Sequence, residues 1–385
     1  MTVRVPVSPD VLLWALDRAP DPDAVASAFP GVDRWVSGEA EPTVKQLHDF
    51  AARTGTAYGY FFLPAPPAIE LPIEDFREGF EGERYRSPSV NLLAVLHQSL
   101  RRQDWYRDYA IDNGFAEVAV VGRASGMTPA EAAADMRRGL NYEVRNRVGN
   151  WNDQRKRLLT AFEALGGLTV VTSMVENNTH RPLDLDEFRG FSLIDDMAPL
   201  VFVNARQTIN GQLFTLAHEF AHVWRGVGGI SDEDLRYEPQ SEIERWCNRV
   251  ASEFLVPGED LRERYRAVSG LGLTAQIERL ASDYRCGTLV VLQALRRDRL
   301  YEFENFQADY DAEVVRLRGF ERSEAGPGGQ FNYNQPYRIG TRLSRALISD
   351  AIAGRTQFTD AARLMSFKSM KNFDSYASYL GMVRG

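Results

Sequence analysis

The chain has 385 residues, with 45 Lys and Arg against 53 Asp and Glu, giving a formal net charge of −8. This length fits two to three domains of the ~150-residue size usual for globular proteins. An apolar content of 44% with 25% charged residues excludes a disordered or fibrous chain. No run approaches the ~18 consecutive apolar residues of a membrane-spanning helix, and the start MTVRVPVSPD lacks a signal's apolar stretch, so a cytoplasmic protein without membrane attachment is expected. Two cysteines, Cys247 and Cys286, cannot build a disulfide framework and lack zinc-knuckle spacing. The acidic total argues against a chain that coats nucleic acid, but the charge is uneven. Residues 1–60 carry five basic and eight acidic side chains, residues 200–260 five and ten, and residues 336–385 eight and three.

In chain order, Ser8-Pro9-Asp10 and Asp21-Pro22-Asp23 are helix starts, with a capping residue before a first-turn proline and an acid. Thr43-Val44-Lys45-Gln46 is a capping box that leads Leu47, Phe50 and Ala51 toward a stop at Gly55. With Trp35 between the helices, this predicts a small helix-turn-helix-like bundle over residues 1–63. Its acidic balance weakens the case for DNA binding. Pro64-Ala65-Pro66-Pro67 closes it. A linker and a polar helical connector fill 64–165, helical over roughly 90–164, where Arg101, Arg102, Arg107, Arg137, Arg138, Arg155, Lys156 and Arg157 read as a solvated face.

After Gly166-Gly167 the pattern changes. Leu168–Thr172, 189–194 and 199–204 are short β-branched and apolar runs bounded by turn signals. A helix over 212–224 stops at Gly226, a second spans 241–255 before Pro257-Gly258, and more helices complete a core over 166–300. Residues 301–385 read as a basic, mostly helical segment beyond the loop Gly326-Pro327-Gly328-Gly329. The fold class is therefore α+β and mostly helical.

Chemistry concentrates in Leu216-Ala217-His218-Glu219-Phe220-Ala221-His222-Val223-Trp224. On a helix His218 and His222 leave the same face one turn apart and can share one ion, and Glu219 can act as general base on an activated water. The chain has only five histidines, and the apolar flanks suit a buried metal-bearing helix. A hydrolytic Zn2+ takes three protein ligands plus water. The metzincin pattern fails, because Arg225 and Gly228 stand where it needs glycine and histidine. A carboxylate from the next helix is the remaining source. Glu242 and Glu244 both suit by spacing, with Glu253 more distant, and Glu244 lies beside the core stripe Ile243, Cys247, Val250, Ala251 and Phe254.

His218-Glu219-x-x-His222 followed by Glu244-x-x-Cys247-Asn248-x-x-Ala251-x-x-Phe254-Leu255-x-Pro257 resembles the ImmA/IrrE family of zincin-like metallopeptidases. Cys247 and Val250 depart from that family's usual Ala and Phe. The resemblance implies a zincin-like core over 166–300, with His218, His222 and Glu244 as zinc ligands and Glu219 as the catalytic base. It also implies a narrowly specific endopeptidase that cleaves a transcriptional repressor or similar regulatory protein, often in stress or toxin–antitoxin settings. Zincins pair an extended substrate with an edge strand, expected here at Leu200–Asn204 or 191–194. Tyr237 and His180 are candidates for an oxyanion donor, and Asn248 for a group that hydrogen-bonds a ligand. A competing reading is a DNA-binding regulator or antitoxin that uses the core as a partner-binding scaffold, and a third is a small-substrate zinc hydrolase. Nucleic-acid contacts would then come from the N-terminal helices, from 277–295 with Arg296, Arg297 and Arg299, or from the basic tail with Arg342, Arg345, Lys368 and Lys371.

Overall fold

The computed structural model describes residues 3–77, 88–231, 239–321 and 331–382. Its contacts divide the chain into one compact unit of residues 1–72, 85–98 and 174–183 and a second of residues 73–84, 99–173 and 184–385.

The first unit opens with α1 (Pro9–Asp17), α2 (Pro22–Ala28), α3 (Val32–Val36) and α4 (Val44–Thr54). The start signals work largely as read. Asp21 accepts from the Ala24 amide, and the Thr43–Gln46 capping box closes in both directions, at 3.2 and 2.9 Å. Ser8 caps by backbone conformation only. Gly55 ends α4 in the left-handed region, where a Cβ would stand 2.8 Å from Val90. Trp35 does not sit between helices but inside α3, buried edge-to-face against Phe50. Arg18 is also buried, donating to the Pro88 carbonyl, which removes one cation from any basic face.

The stretch read as one connector is three helices: α5 (Val90–Asp112), α6 (Pro129–Gly139) and α7 (Trp151–Ala164). Gly114, Gly122 and Gly126 take positive φ between the first two, and complete capping boxes at Thr128 and Asn150 restart the helix. Their arginines are not uniformly solvated. Arg102 is buried and donates to the Leu364 carbonyl, Arg137 is buried and donates to the Glu253 carbonyl, and Arg155 reaches Gln212.

The second unit holds a four-stranded sheet of β1 (Leu168–Thr172), β2 (Gly190–Leu193), β3 (Leu200–Asn204) and β4 (Ile230–Ser231), in the order β1-β3-β2-β4. β1 and β3 run parallel, whereas β2 is antiparallel to both neighbours. This corrects the expected substrate edge. β3 is hydrogen-bonded on both sides, and β2 lies between β3 and β4, so neither offers a free edge.

Across β2 and β3 lies α8 (Ile209–Arg225), started by the Thr208 side chain on the Gly211 amide and ended by left-handed Gly226. All thirteen residues from Gln212 to Trp224 are buried. Next come α9 (Glu242–Leu255), packed on α8 and α6, and then α10 (Gly258–Tyr265), α11 (Leu273–Tyr284), α12 (Thr288–Arg297), α13 (Phe306–Glu321), α14 (Phe331–Arg338), α15 (Thr341–Ile352), α16 (Phe358–Leu364) and α17 (Met370–Tyr379). The glycine-rich loop at 326–329 lies outside the described residues. No helix among those described is long and apolar enough to cross a membrane.

Candidate metal centre

Helical periodicity stacks His218 over His222 on the face of α8 turned toward α9. On α9, Ser241 caps the first turn by accepting from the Glu244 amide, and the buried stripe through Cys247, Val250, Ala251 and Phe254 carries Glu244 inward. Glu242 is exposed. Glu253 is engaged elsewhere, with Arg297 and the Gly258 amide. Periodicity thus separates three acids that spacing alone left open.

Among the described residues, His218, His222 and Glu244 form a buried cluster able to hold a metal ion. The two Nε2 atoms stand 3.0 Å apart, and Glu244 carboxylate oxygens lie 3.1 Å from His218 Nε2 and 3.0 Å from His222 Nε2. Ligand atoms around a tetrahedral zinc with ~2.0–2.1 Å bonds stand about 3.3 Å apart, so the triangle fits one such ion with slight expansion. Two buried Nε2 atoms at this distance can share one positive charge, a proton or a metal ion.

The ring orientations are fixed from behind. His218 Nδ1 lies 2.9 Å from Asn248 Oδ1, and His222 Nδ1 lies 2.8 Å from the Val227 carbonyl. Both acceptors select the tautomer with hydrogen on Nδ1 and a free Nε2 lone pair. Burial raises the Glu244 pKa, but the two imidazoles outweigh it and hold the carboxyl at about 2. For His222 burial acts downward, yet Cys247 and Glu244 together raise the imidazole well above its ordinary range.

Glu219, next to His218, is fully buried, with Oε1 3.3 Å from the Ser231 hydroxyl at the end of β4. Beneath it, β2 approaches α8 so closely that a Cβ on Gly190 would stand 2.7 Å from Glu219 Oε1 and 2.7 Å from Thr215. The Phe76 ring stacks on His222 with 5.7 Å between centroids and 14° between planes. Ser231, Gly190 and Phe76 were missed from sequence. A glycine opening the short strand β2 was the one available signal. Of the oxyanion candidates, Tyr237 lies outside the described residues, and His180 is an exposed residue of the first unit.

The cations offered for nucleic acid are largely engaged within the protein. Arg296 lies over the Phe306 ring, and Arg297 pairs with Glu253 and Asp298. In the tail, Arg342 donates to Tyr106 and to the Glu163 carbonyl, and Arg345 to the Leu380 carbonyl. Lys368 and Lys371 are exposed.

Residues 166–296 match the IrrE N-terminal-like domain of peptidase family M78, which supports a place in the ImmA/IrrE family. Residues 339–379 match a domain of unknown function, DUF8813. No curated protein matches the chain.

Proposed function

We propose, from the premise that residues 166–296 form an ImmA/IrrE-type domain, that this chain is a zinc-dependent endopeptidase acting on a regulatory protein such as a transcriptional repressor. The observation that carries the reading is the convergence of His218 Nε2, His222 Nε2 and a Glu244 carboxylate within 3.0–3.1 Å of one another. These three would hold the ion. When bound there, zinc supplies Lewis-acid polarisation of the scissile carbonyl and a nucleophilic water at neutral pH.

The remaining work belongs to the chain. Glu219 takes the proton from the attacking water and passes it to the departing amine, while Ser231 donates to Oε1 and keeps the carboxylate oriented. Asn248 and the Val227 carbonyl keep both imidazoles in the ligating tautomer. Burial of the whole cluster excludes bulk water and strengthens each of these interactions.

The test is metal content and cleavage on the full chain. About one zinc per chain is expected, together with cleavage of a repressor encoded beside it. Glu219→Gln should keep both fold and zinc and lose cleavage. Cleavage that survives Glu219→Gln would refute the reading.

A further inference from the structure

β4 has an outer side, and residues of the same chain already occupy it. The Ile230 amide donates to the Glu74 carbonyl at 3.0 Å, and the Phe76 amide donates to the Ile230 carbonyl at 3.0 Å, with Asp75 bridged in parallel to Ile230. β2 bonds the neighbouring positions instead, through the Gly229 and Ser231 carbonyls. Both outward-facing groups of Ile230 are therefore taken by residues 74–76. Gly229 makes room for them, since a Cβ there would stand 2.4 Å from the Phe76 ring and 2.9 Å from the Glu74 carbonyl. The segment is also pinned at its end. Arg77 clasps Asp75 with two hydrogen bonds of 2.8 Å, lies 3.5 Å from Glu187, and has a side chain only 1% exposed.

Resting on the peptidase reading, we propose that residues 73–77 are an internal strap that holds the substrate-pairing edge shut, so that an extended substrate pairs with β4 only after the strap has left. β4 reaches Glu219 through Ser231, and the strap's Phe76 stacks on His222, so one short segment holds the outer side of β4 and covers a candidate ligand. An added peptide strand would need the same Ile230 amide and carbonyl. Apparent affinity for such a peptide is reduced by the fraction of molecules with the strap in place. The rival role is permanent edge protection, in which the segment never leaves.

The experiment uses the zinc-loaded full chain and two probes: a dipeptide hydroxamate, which carries an extended backbone, and acetohydroxamate, which carries only the metal-binding head. Affinities are measured by calorimetry, alongside amide hydrogen exchange at Ile230. In Phe76→Ala, Ile230 exchange should accelerate and the dipeptide hydroxamate should bind about tenfold tighter or more, with acetohydroxamate changing much less. Gly229→Ala, which drives the strap off by contact with Phe76 and Glu74, should act alike. Asp75→Asn loosens the clasp with least risk to folding and should shift both readouts in the same direction. Faster Ile230 exchange without a gain in dipeptide affinity overturns the proposal, as does an equal gain for both probes. Failure of the wild type to hold zinc would instead refute the peptidase reading, and the exchange and affinity readouts keep the two failures distinct.

Discussion

Asn248 Oδ1 accepts from His218 Nδ1 at 2.9 Å, which ties the second turn of α9 to the first histidine of α8 through a single hydrogen bond. This bond decides which nitrogen of His218 faces the cluster. Asn248→Leu should weaken zinc binding by about 10–100-fold, whereas Asn248→Asp, which still accepts from Nδ1, should retain most of it. Competition against a chelator of known affinity measures the difference. Equal loss in both variants would show that Asn248 acts through packing.

Ser231 and Gly190 bear on Glu219 from two sides. Ser231→Ala removes a donor to Glu219 Oε1, so kcat should fall about tenfold with zinc content unchanged. Gly190→Ala places a methyl 2.7 Å from Oε1 and should cost ~1–3 kcal/mol of stability as well as activity. Denaturation midpoints and kcat check the pair.

Arg147 is buried and held by backbone carbonyls and an aromatic ring. It donates to the Phe254, Leu255 and Tyr284 carbonyls and lies over the Tyr142 ring, 4.3 Å from its centroid. Burial lowers its pKa. It is the C-terminal anchor of α9, the helix that carries Glu244. Arg147→Leu leaves those carbonyls unsatisfied and should destabilise the fold by about 2–4 kcal/mol, with zinc affinity falling alongside. Urea unfolding of the zinc-free protein separates the two effects.

Glu163 joins the C-terminal segment to the sheet. It accepts from the Thr341 amide at 2.9 Å and from the Thr169 hydroxyl at 2.8 Å. Burial raises its pKa, and these bonds offset that rise only in part. A carboxyl raised in the folded state contributes stability that is full below its unfolded pKa and is lost as pH rises through the folded value. The stability of the wild type relative to Glu163→Gln should therefore decline from roughly pH 4 toward neutrality. Paired urea titrations across that range test the sign.

The histidine pair was legible because helical geometry makes four-residue spacing a statement about one face, and Glu244 because a buried stripe on α9 is countable from sequence. The capping box at Thr43, the stop at Gly226 and the helix start at Ser241 were legible for the same local reason, whereas the cap at Thr208 was not. Long-range pairing was not. β4 is two residues long and is a strand only because β2 lies beside it, so neither Ser231 nor the strap at 73–77 left a periodic trace. The four consecutive apolar positions at 200–203 of β3 read as a strand covered on both faces, but its place between β1 and β2 depends on pairings that only the folded chain sets. Charge misled in a related way. Arg102, Arg342 and Arg345 look free in a sequence count, but each donates to a backbone carbonyl far away in the chain.

The unbroken burial of Gln212 to Trp224 has a consequence for how the centre opens. A helix with one wet face can fray locally and release a ligand, but α8 has no such face over its central thirteen residues. An ion held by His218 and His222 would then not be released by fraying of α8, and exchange would run through the side that Phe76 of the strap covers. Resistance to chelators would report how often the strap leaves, not how often the helix opens.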